Sequence, residues 1–224
     1  MSTSDEARAP TNAPPPGRRE RNKHDKQTRI HAAAADLFAE RGYSAVTTQD
    51  IADRADVAIG TLFRYASSKA ELLLMVFNDD WRRSLERHRS AVPADGDPTG
   101  RIMALLGPLI VAGTQKPENT AVYQREILFG EPDGRYRAEA LALVDQLEAS
   151  IGAVLRSVDE ASPHVQRIRP GTDPVLAARS LFSVLHMELI RSSLGRESAE
   201  ELPRVLHAEI DLVIHGIMES AGRR

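Results

Sequence analysis

No cysteine occurs among the 224 residues, which excludes disulfides and thiolate metal sites. Aromatic residues are only 4% of the chain, with a single tryptophan, so a cage of ring faces around a cationic ligand is disfavoured. No stretch approaches the ~20 consecutive apolar residues that span a bilayer. The N-terminus shows no apolar segment after a basic start, so no signal peptide is read there. The expectation is a cytoplasmic protein with no membrane partner. Also missing are a Glu-x-x-His pair of the di-iron type, a nucleophile elbow and a phosphate loop. No catalytic residue, cofactor or metal is therefore expected, and an enzyme built on a helical bundle is disfavoured.

The rest of the composition is ordinary for a globular protein, at 42% hydrophobic and 27% charged residues. The net charge is −3, unevenly placed: residues 1–76 sum to +1 and residues 77–224 to −4. A slightly basic head on an acidic body fits a nucleic-acid reader weakly.

Residues 1–22 are rich in Pro, Ala and Arg around Pro14-Pro15-Pro16-Gly17 and have no apolar period, so they read as a disordered tail. The basic cluster Arg18, Arg19, Arg21, Lys23, Lys26 reads as a solvated tail or as an arm that adds phosphate contacts. From Asp25 the pattern turns helical. Ile30, Ala33, Ala34, Leu37 and Phe38 share one helical face, and Gly42 stops the run. Thr47 and Asp50 form a capping-box-like start to a short helix with inner residues Ile51, Ala52 and Ala55. Asp56-Val57-Ala58 breaks it, and Asp56 suits a left-handed turn. A third short helix is expected from Ile59 to Tyr65. Ser68-Lys69-Ala70-Glu71 is a capping box opening a fourth, longer helix with Leu72, Leu73, Met75, Val76 and Trp81 on its apolar side. Beyond the break at 91–98, helices are expected over 98–114, 118–129, 134–158, 173–194 and 198–220, with no strand and no repeat. The fold class is all-α, with a three-helix helix-turn-helix head and a C-terminal helical bundle.

Two short helices around a three- or four-residue turn have helix-turn-helix geometry, in which the second enters the major groove. Small residues Ala52, Ala55 and Gly60 allow close approach, and Val57 and Leu62 are placed to bury. Thr61, Arg64 and Tyr65 lie on the exposed face of the second helix, where they can reach phosphates or base edges. Thr48 and Lys69 open their helices at positions suited to phosphate anchoring. Spacing alone leaves a generic three-helix domain open.

The run Thr47-Thr48-Gln49-Asp50-Ile51-Ala52-Asp53-Arg54-Ala55, continued by Asp56 to Tyr65 and by Ser68-Lys69-Ala70-Glu71-Leu72-Leu73, resembles the DNA-binding signature of TetR/AcrR regulators. Leu37-Phe38-Ala39-Glu40-Arg41-Gly42-Tyr43 matches as well, so the resemblance covers about residues 25–76. It implies a homodimeric repressor-like regulator that binds a double-stranded palindromic operator and is released by a small-molecule inducer. It implies domains at 23–76 for DNA binding and 77–224 for ligand sensing and dimerisation. By position, Thr48, Tyr65 and Lys69 look like phosphate contacts, and Gly60 and Thr61 look nearest the bases. Gln49, Ala58, Ile59, Phe63 and Arg64 complete the expected DNA-binding set. The chain departs from the family pattern in three places. Asp56 stands where Gly is usual in the turn. Ala58 stands where a capping Ser is common, a cap worth ~1 kcal/mol. Ala66 replaces an aromatic residue.

In the C-terminal half the reading is physical. Residues 173–194 are apolar on nearly every side, as in a helix buried all round. Leu202, Leu206, Ile210, Val213 and Ile217 form a stripe on the last helix. These two helices from each protomer are expected to build a four-helix dimer interface, the alternative being a core within one chain. A ligand pocket is expected between the middle helices. Its candidate polar groups are Tyr123, Arg125, Glu126 and His186, and its candidate apolar lining is Trp81, Met103, Leu106, Ile110, Phe129, Leu147 and Phe182. An aliphatic pocket suits an apolar or acyl-like ligand. His207, Asp211 and His215 share a helical face but span too far for one ion, so they read as a solvated or interface stripe. A protein-interaction module that has lost DNA binding is a third reading, supported only by the missing cap at Ala58.

Overall fold

A computed structural model describes residues 17–89, 96–161 and 166–220. Within them the chain runs α1 (Arg18–Arg41), α2 (Thr48–Arg54), α3 (Ile59–Leu62), α4 (Lys69–Arg89), α5 (Pro98–Gln115), α6 (Pro117–Phe129), α7 (Arg135–Ala161), β1 (Gln166–Ile168), α8 (Pro174–Ser193), α9 (Leu202–Ile217) and β2 (Met218–Ser220). The all-α class holds.

Four local expectations are corrected. The first helix begins at Arg18 rather than Asp25, so residues 18–22 of the expected tail are helical, while residues 1–16 lie outside the described residues. The third helix ends at Leu62, and a turn carries the chain on through Tyr65. The last helix is shorter at both ends, running from Leu202 to Ile217. Its C-terminal residues leave the helix to pair with β1, Ile168 opposite Met218, as a two-stranded antiparallel ribbon that three-residue segments could not announce in sequence.

Local chemistry explains most element ends. Gly42 leaves α1 at φ +81°, donating its N–H to Phe38 O, as a glycine past the last turn does. Asp97 and Asp173 accept from backbone N–H groups of Gly100 and Val175 at the starts of α5 and α8, each followed by a proline at the first helical position.

One apolar core runs through the head and the bundle. Ile30, Leu37, Phe38, Ile51 and Leu62 fill the head, and Leu72 and Leu73 of α4 carry the core onward to Ile102, Leu106, Leu147, Ile151, Leu181 and Ile210. α8 is not buried all round: Val175, Leu176 and Met187 are exposed, while Ala178, Leu181, Leu185 and Leu189 face the core. The stripe expected to serve the dimer on α9 is instead largely an inner face, with Leu202, Leu206 and Ile210 fully buried. The opposite face of α9 exposes Leu212. Asp211 accepts from Thr99 on α5 at 2.9 Å and lies beside His215 at 3.2 Å, tying that edge of the last helix back to the bundle.

Glu188 is a charged group in an apolar place, buried on α8 with Arg191 at 3.2 Å from one oxygen. Its other oxygen, like one on Glu209, is buried without a partner. Burial first, then Glu209, raises the Glu188 carboxyl above its ordinary value against the pull of Arg191. The folded chain thus holds this proton more tightly than the unfolded chain. That stability is present at low pH and is lost as pH rises through the raised folded value. A Glu188→Gln variant should melt higher than the parent at pH ~7, with the gain vanishing near pH ~4, where the carboxyl is protonated anyway. Thermal denaturation at the two pH values checks this, and an equal difference at both would remove ionisation as the cause.

Candidate DNA-binding head and effector cavity

The head is assembled from two satisfied turns. Thr47 caps α2: its hydroxyl accepts from Asp50 N–H at 3.1 Å, and the Asp50 carboxylate accepts from Thr47 N–H at 2.8 Å and from its hydroxyl at 2.7 Å. Those bonds, the hydroxyl's first, hold the Asp50 carboxyl below its ordinary value. Thr47→Ala removes the cap, and a loss of ~1 kcal/mol in unfolding free energy is expected by denaturant titration. An unchanged midpoint would mean that the α1–α2 loop holds α2 by packing alone. Asp56 adopts φ +51°, the one non-glycine left-handed residue among those described, and its carboxylate pairs with Arg29 at 3.0 Å. The turn therefore has the conformation expected of a glycine, held by a residue that tolerates it.

The turn delivers α3 with Leu62 buried and Gly60, Phe63 and Arg64 exposed. Phe63 is 45% exposed. The Arg64 guanidinium has no partner among the described residues. Ala58 precedes α3 in an extended conformation and makes no side-chain cap. A Cβ added to Gly60 would meet nothing within 4 Å. Packing thus does not call for glycine there, although glycine costs ~1 kcal/mol in a helix. Thr48 and Gln49 lie in the first turn of α2, where the Gln49 amide donates to Asp53 at 2.7 Å. Ile59 and Thr61 are half-buried. The Tyr65 hydroxyl donates to Lys23 O at 3.2 Å. The Lys69 ammonium donates to Tyr43 O at 2.9 Å and to Val46 O at 2.8 Å, and lies over the Tyr43 ring. Lys69 thus closes the α1–α2 loop, leaving at most one of its three donors for another acceptor.

A cavity of about 850 Å³ lies among α1, α4, α5, α6 and α8. That is within the ~300–1,000 Å³ typical of small-molecule sites. Its wall includes Ala35, Phe38 and Ala39 of the head's own first helix. Trp81, Tyr123, Phe182 and His186 of the expected set line it. The other expected residues do not. Leu106, Ile110 and Leu147 are packed into the core, and Met103 packs against it. Arg125 and Glu126 pair with each other at 2.7 Å, and Phe129 is 80% exposed. The error on α5 is one of phase: the cavity faces Ala104, Pro108 and Ala112, on nearly the opposite side of the helix from Met103, Leu106 and Ile110. Large side chains fill the core, so the void forms over the small ones. The missed signal is that small-residue stripe, interrupted by Pro108 inside the helix.

Polar groups in the wall fall into two kinds. The Tyr123 hydroxyl donates to Asn78 Oδ1 at 2.9 Å, and Asn78 donates to Tyr136 O at 2.7 Å; burial raises the Tyr123 phenol, so it stays protonated. By contrast Trp81 Nε1, Asn119 Oδ1, Gln124 Oε1 and His186 Nε2 are buried without a hydrogen-bond partner. Each such orphan costs ~1–3 kcal/mol. Burial lowers the His186 imidazole below its ordinary value, which keeps it neutral near pH ~7.

The start of α6 joins cavity to head. Asn119 donates to Phe38 O at 3.0 Å, and Glu118 accepts from Ser44 N–H at 2.8 Å and from the Ser44 hydroxyl.

This geometry has close relatives. Residues 30–76 match the family described as bacterial regulatory proteins, tetR family. The HTH-type transcriptional repressor KstR of Mycobacterium tuberculosis is 31% identical over 200 residues, covering 89% of this chain and 84% of that protein. The chain belongs to the TetR family of transcriptional regulators. KstR of Rhodococcus jostii is 27% identical over 191 residues, covering 85% of this chain and 83% of that one. Among solved structures, Thermus thermophilus FadR in complex with lauroyl-CoA superposes with a TM-score of 0.67 at 22% identity, covering 85% of this chain and 94% of that chain. Bacillus subtilis FadR in complex with stearoyl-CoA gives 0.63 at 19% identity, covering 85% and 98%. These neighbours share the architecture of a helix-turn-helix head on a helical C-terminal domain. Among the described residues no helix is long and apolar enough to cross a membrane.

Proposed function

We propose that the protein is a homodimeric repressor that leaves a palindromic operator when an acyl-CoA-type ligand places its apolar tail in the cavity. The observation that carries this reading is the cavity wall. α1 belongs to the head and also bounds the void through Ala35, Phe38 and Ala39. A ligand that changes the spacing of α1 and α6 therefore acts on the head without an intermediary. Ligand control requires different affinity for two head arrangements, and the bonds from Asn119 and Glu118 to the α1 end are where such a difference would be felt. The ligand class rests on the apolar wall and on what the two FadR relatives bind, lauroyl-CoA and stearoyl-CoA.

In this reading residues 23–76 are the DNA-binding domain and 77–224 the sensing and dimerisation domain. Gly60, Thr61, Phe63 and Arg64 face the bases, with Ala58 and Ile59 at the leading end of that element. Thr48, Gln49 and Tyr65 face the backbone, and Lys69 supports the loop beside them. The exposed Leu176 and Met187 of α8 and Leu212 of α9 supply the dimer face.

The test is selection of DNA from a random duplex library by the purified protein at ~150 mM salt, where non-specific phosphate binding is suppressed. The expected product is a palindrome with half-sites about one turn apart, ~34–36 Å between centres, from which lauroyl-CoA displaces the protein. Recovery of no common sequence from folded dimer would refute the operator reading, and a palindrome indifferent to acyl-CoA would refute the ligand class alone.

A further inference from the structure

The cavity is mostly apolar, walled by Phe77, Ile127, Leu185 and Leu189 among others, yet four of its lining residues carry a buried polar atom without a partner. Three belong to side chains that are more than nine-tenths buried: Trp81 on α4 and Asn119 and Gln124 on α6. Their chemistry is specified. An indole N–H can only donate. Asn119 already gives its NH₂ to Phe38 O at 3.0 Å, and a carbonyl can only accept, so the remaining Asn119 oxygen is an acceptor. Gln124 adds a second carboxamide oxygen, and His186 a ring nitrogen from α8. A purely hydrocarbon ligand would leave all of these unpaired and would exclude water from them.

We propose that the effector carries, within the part that enters the cavity, a group that both donates and accepts hydrogen bonds, a hydroxyl or a secondary amide, and that Trp81, Asn119 and Gln124 read it. The proposal rests on the acyl-type reading above and narrows it: the cavity selects a polar-functionalised apolar ligand over a plain chain. The donor can be a hydroxyl on the apolar body or an amide N–H of the pantetheine arm of a CoA thioester. Asn119 makes recognition consequential, since the group bonded to its oxygen sits one side chain from the C-terminal end of α1.

The single tryptophan lies in the wall, so its emission reports occupancy directly. Four probes with one chain length separate the cases: lauric acid, β-hydroxylauric acid, ω-hydroxylauric acid and lauroyl-CoA. At least one donor-bearing probe is expected to bind at least tenfold more tightly than lauric acid. A gain with a hydroxy acid assigns the hydroxyl, and a gain with lauroyl-CoA alone assigns the amide only where Gln124→Met removes it. Gln124→Met, close in size and without polar atoms, should remove most of that gain, leave lauric acid affinity unchanged and raise the melting temperature of the free protein, because an orphan acceptor has gone. Trp81→Phe, followed by calorimetry, should also reduce the gain. Lauric acid binding as tightly as every other probe, or a gain that survives both substitutions, overturns the proposal. If no probe perturbs Trp81, the acyl reading falls and this inference falls with it. Equal binding by all four leaves that reading standing and removes only this one.

Discussion

A glutamate in place of Gly60 should abolish operator binding and leave the head as stable as before. Gly60 is exposed in the second position of α3, and a Cβ there meets no protein atom within 4 Å. Its helical conformation suits any residue, so substitution recovers up to ~1 kcal/mol of helix propensity. A carboxylate in the first turn is favoured by the helix N-terminus as well. Every term within the protein therefore predicts a melting temperature that is unchanged or raised. The DNA terms run the other way. If α3 lies in the major groove, a side chain at Gly60 occupies the space of a base edge, and its charge opposes the phosphates on both sides of the groove. In the proposed dimer the effect is repeated at both half-sites. Loss of operator affinity by about 100-fold or more is expected, at every salt concentration in which binding is measurable. Anisotropy titration of the selected operator, paired with thermal denaturation, reads both signs. Retained affinity would show that the exposed side of α3 does not face DNA.

The head was legible because its determinants are local. A threonine three residues before an aspartate, an aspartate at a left-handed turn and a serine three before a glutamate each act within one turn of chain. The structure returns them as the Thr47–Asp50 box, the Asp56 turn and the Ser68 hydroxyl accepting from Glu71 N–H at 3.1 Å. Lys69 is different. Its place in the sequence suggests an outward cation, but the carbonyls it binds come from Tyr43 and Val46, more than twenty residues earlier, and no local pattern places them there. The cavity was half legible for a related reason. Trp81, Tyr123, Phe182 and His186 are large or polar side chains on helices that any bundle turns inward. A void is made by what fails to fill it, and Ala104, Pro108 and Ala112 look in sequence like filler rather than like a wall. The involvement of Ala35 and Phe38 depends on how α1 crosses α4 and α6, which periodicity does not encode. Likewise the apolar character of α8 was plain, but its division between core and surface depends on its neighbours. Leu181 and Leu185 pack inward, while Leu176 and Met187 of the same helix are left outside.

That division leads to the other large expected effect, at Leu212. It is 74% exposed on α9, opposite the buried face of that helix. On α8, Leu176 and Met187 are exposed eleven residues, about three turns, apart along one side of the helix, with Ser180 and Ser183 between them. A folded chain that leaves such residues on its last two long helices gains by covering them, and a two-fold partner covers both with the same surface. In a two-fold interface each substitution appears twice, and residues near the axis meet their own copies. Leu212→Glu therefore introduces two carboxylates that repel each other and lose solvation on association. Monomer is expected at micromolar concentrations where the parent is dimeric, as read by sedimentation or light scattering. The fold of each chain should survive, because the buried face of α9 is made by Leu202, Leu206, Ile210 and Ile214 instead. Operator affinity should fall by about 100-fold or more, since a monomer engages one half-site and forfeits the effective concentration that holds the second head in place. The Leu212→Met variant, close in volume and apolar, should keep both properties. A Leu212→Glu protein that remains dimeric would place the two-fold axis elsewhere on the bundle, and loss of DNA binding without loss of the dimer would make α9 part of the signalling path instead of the interface.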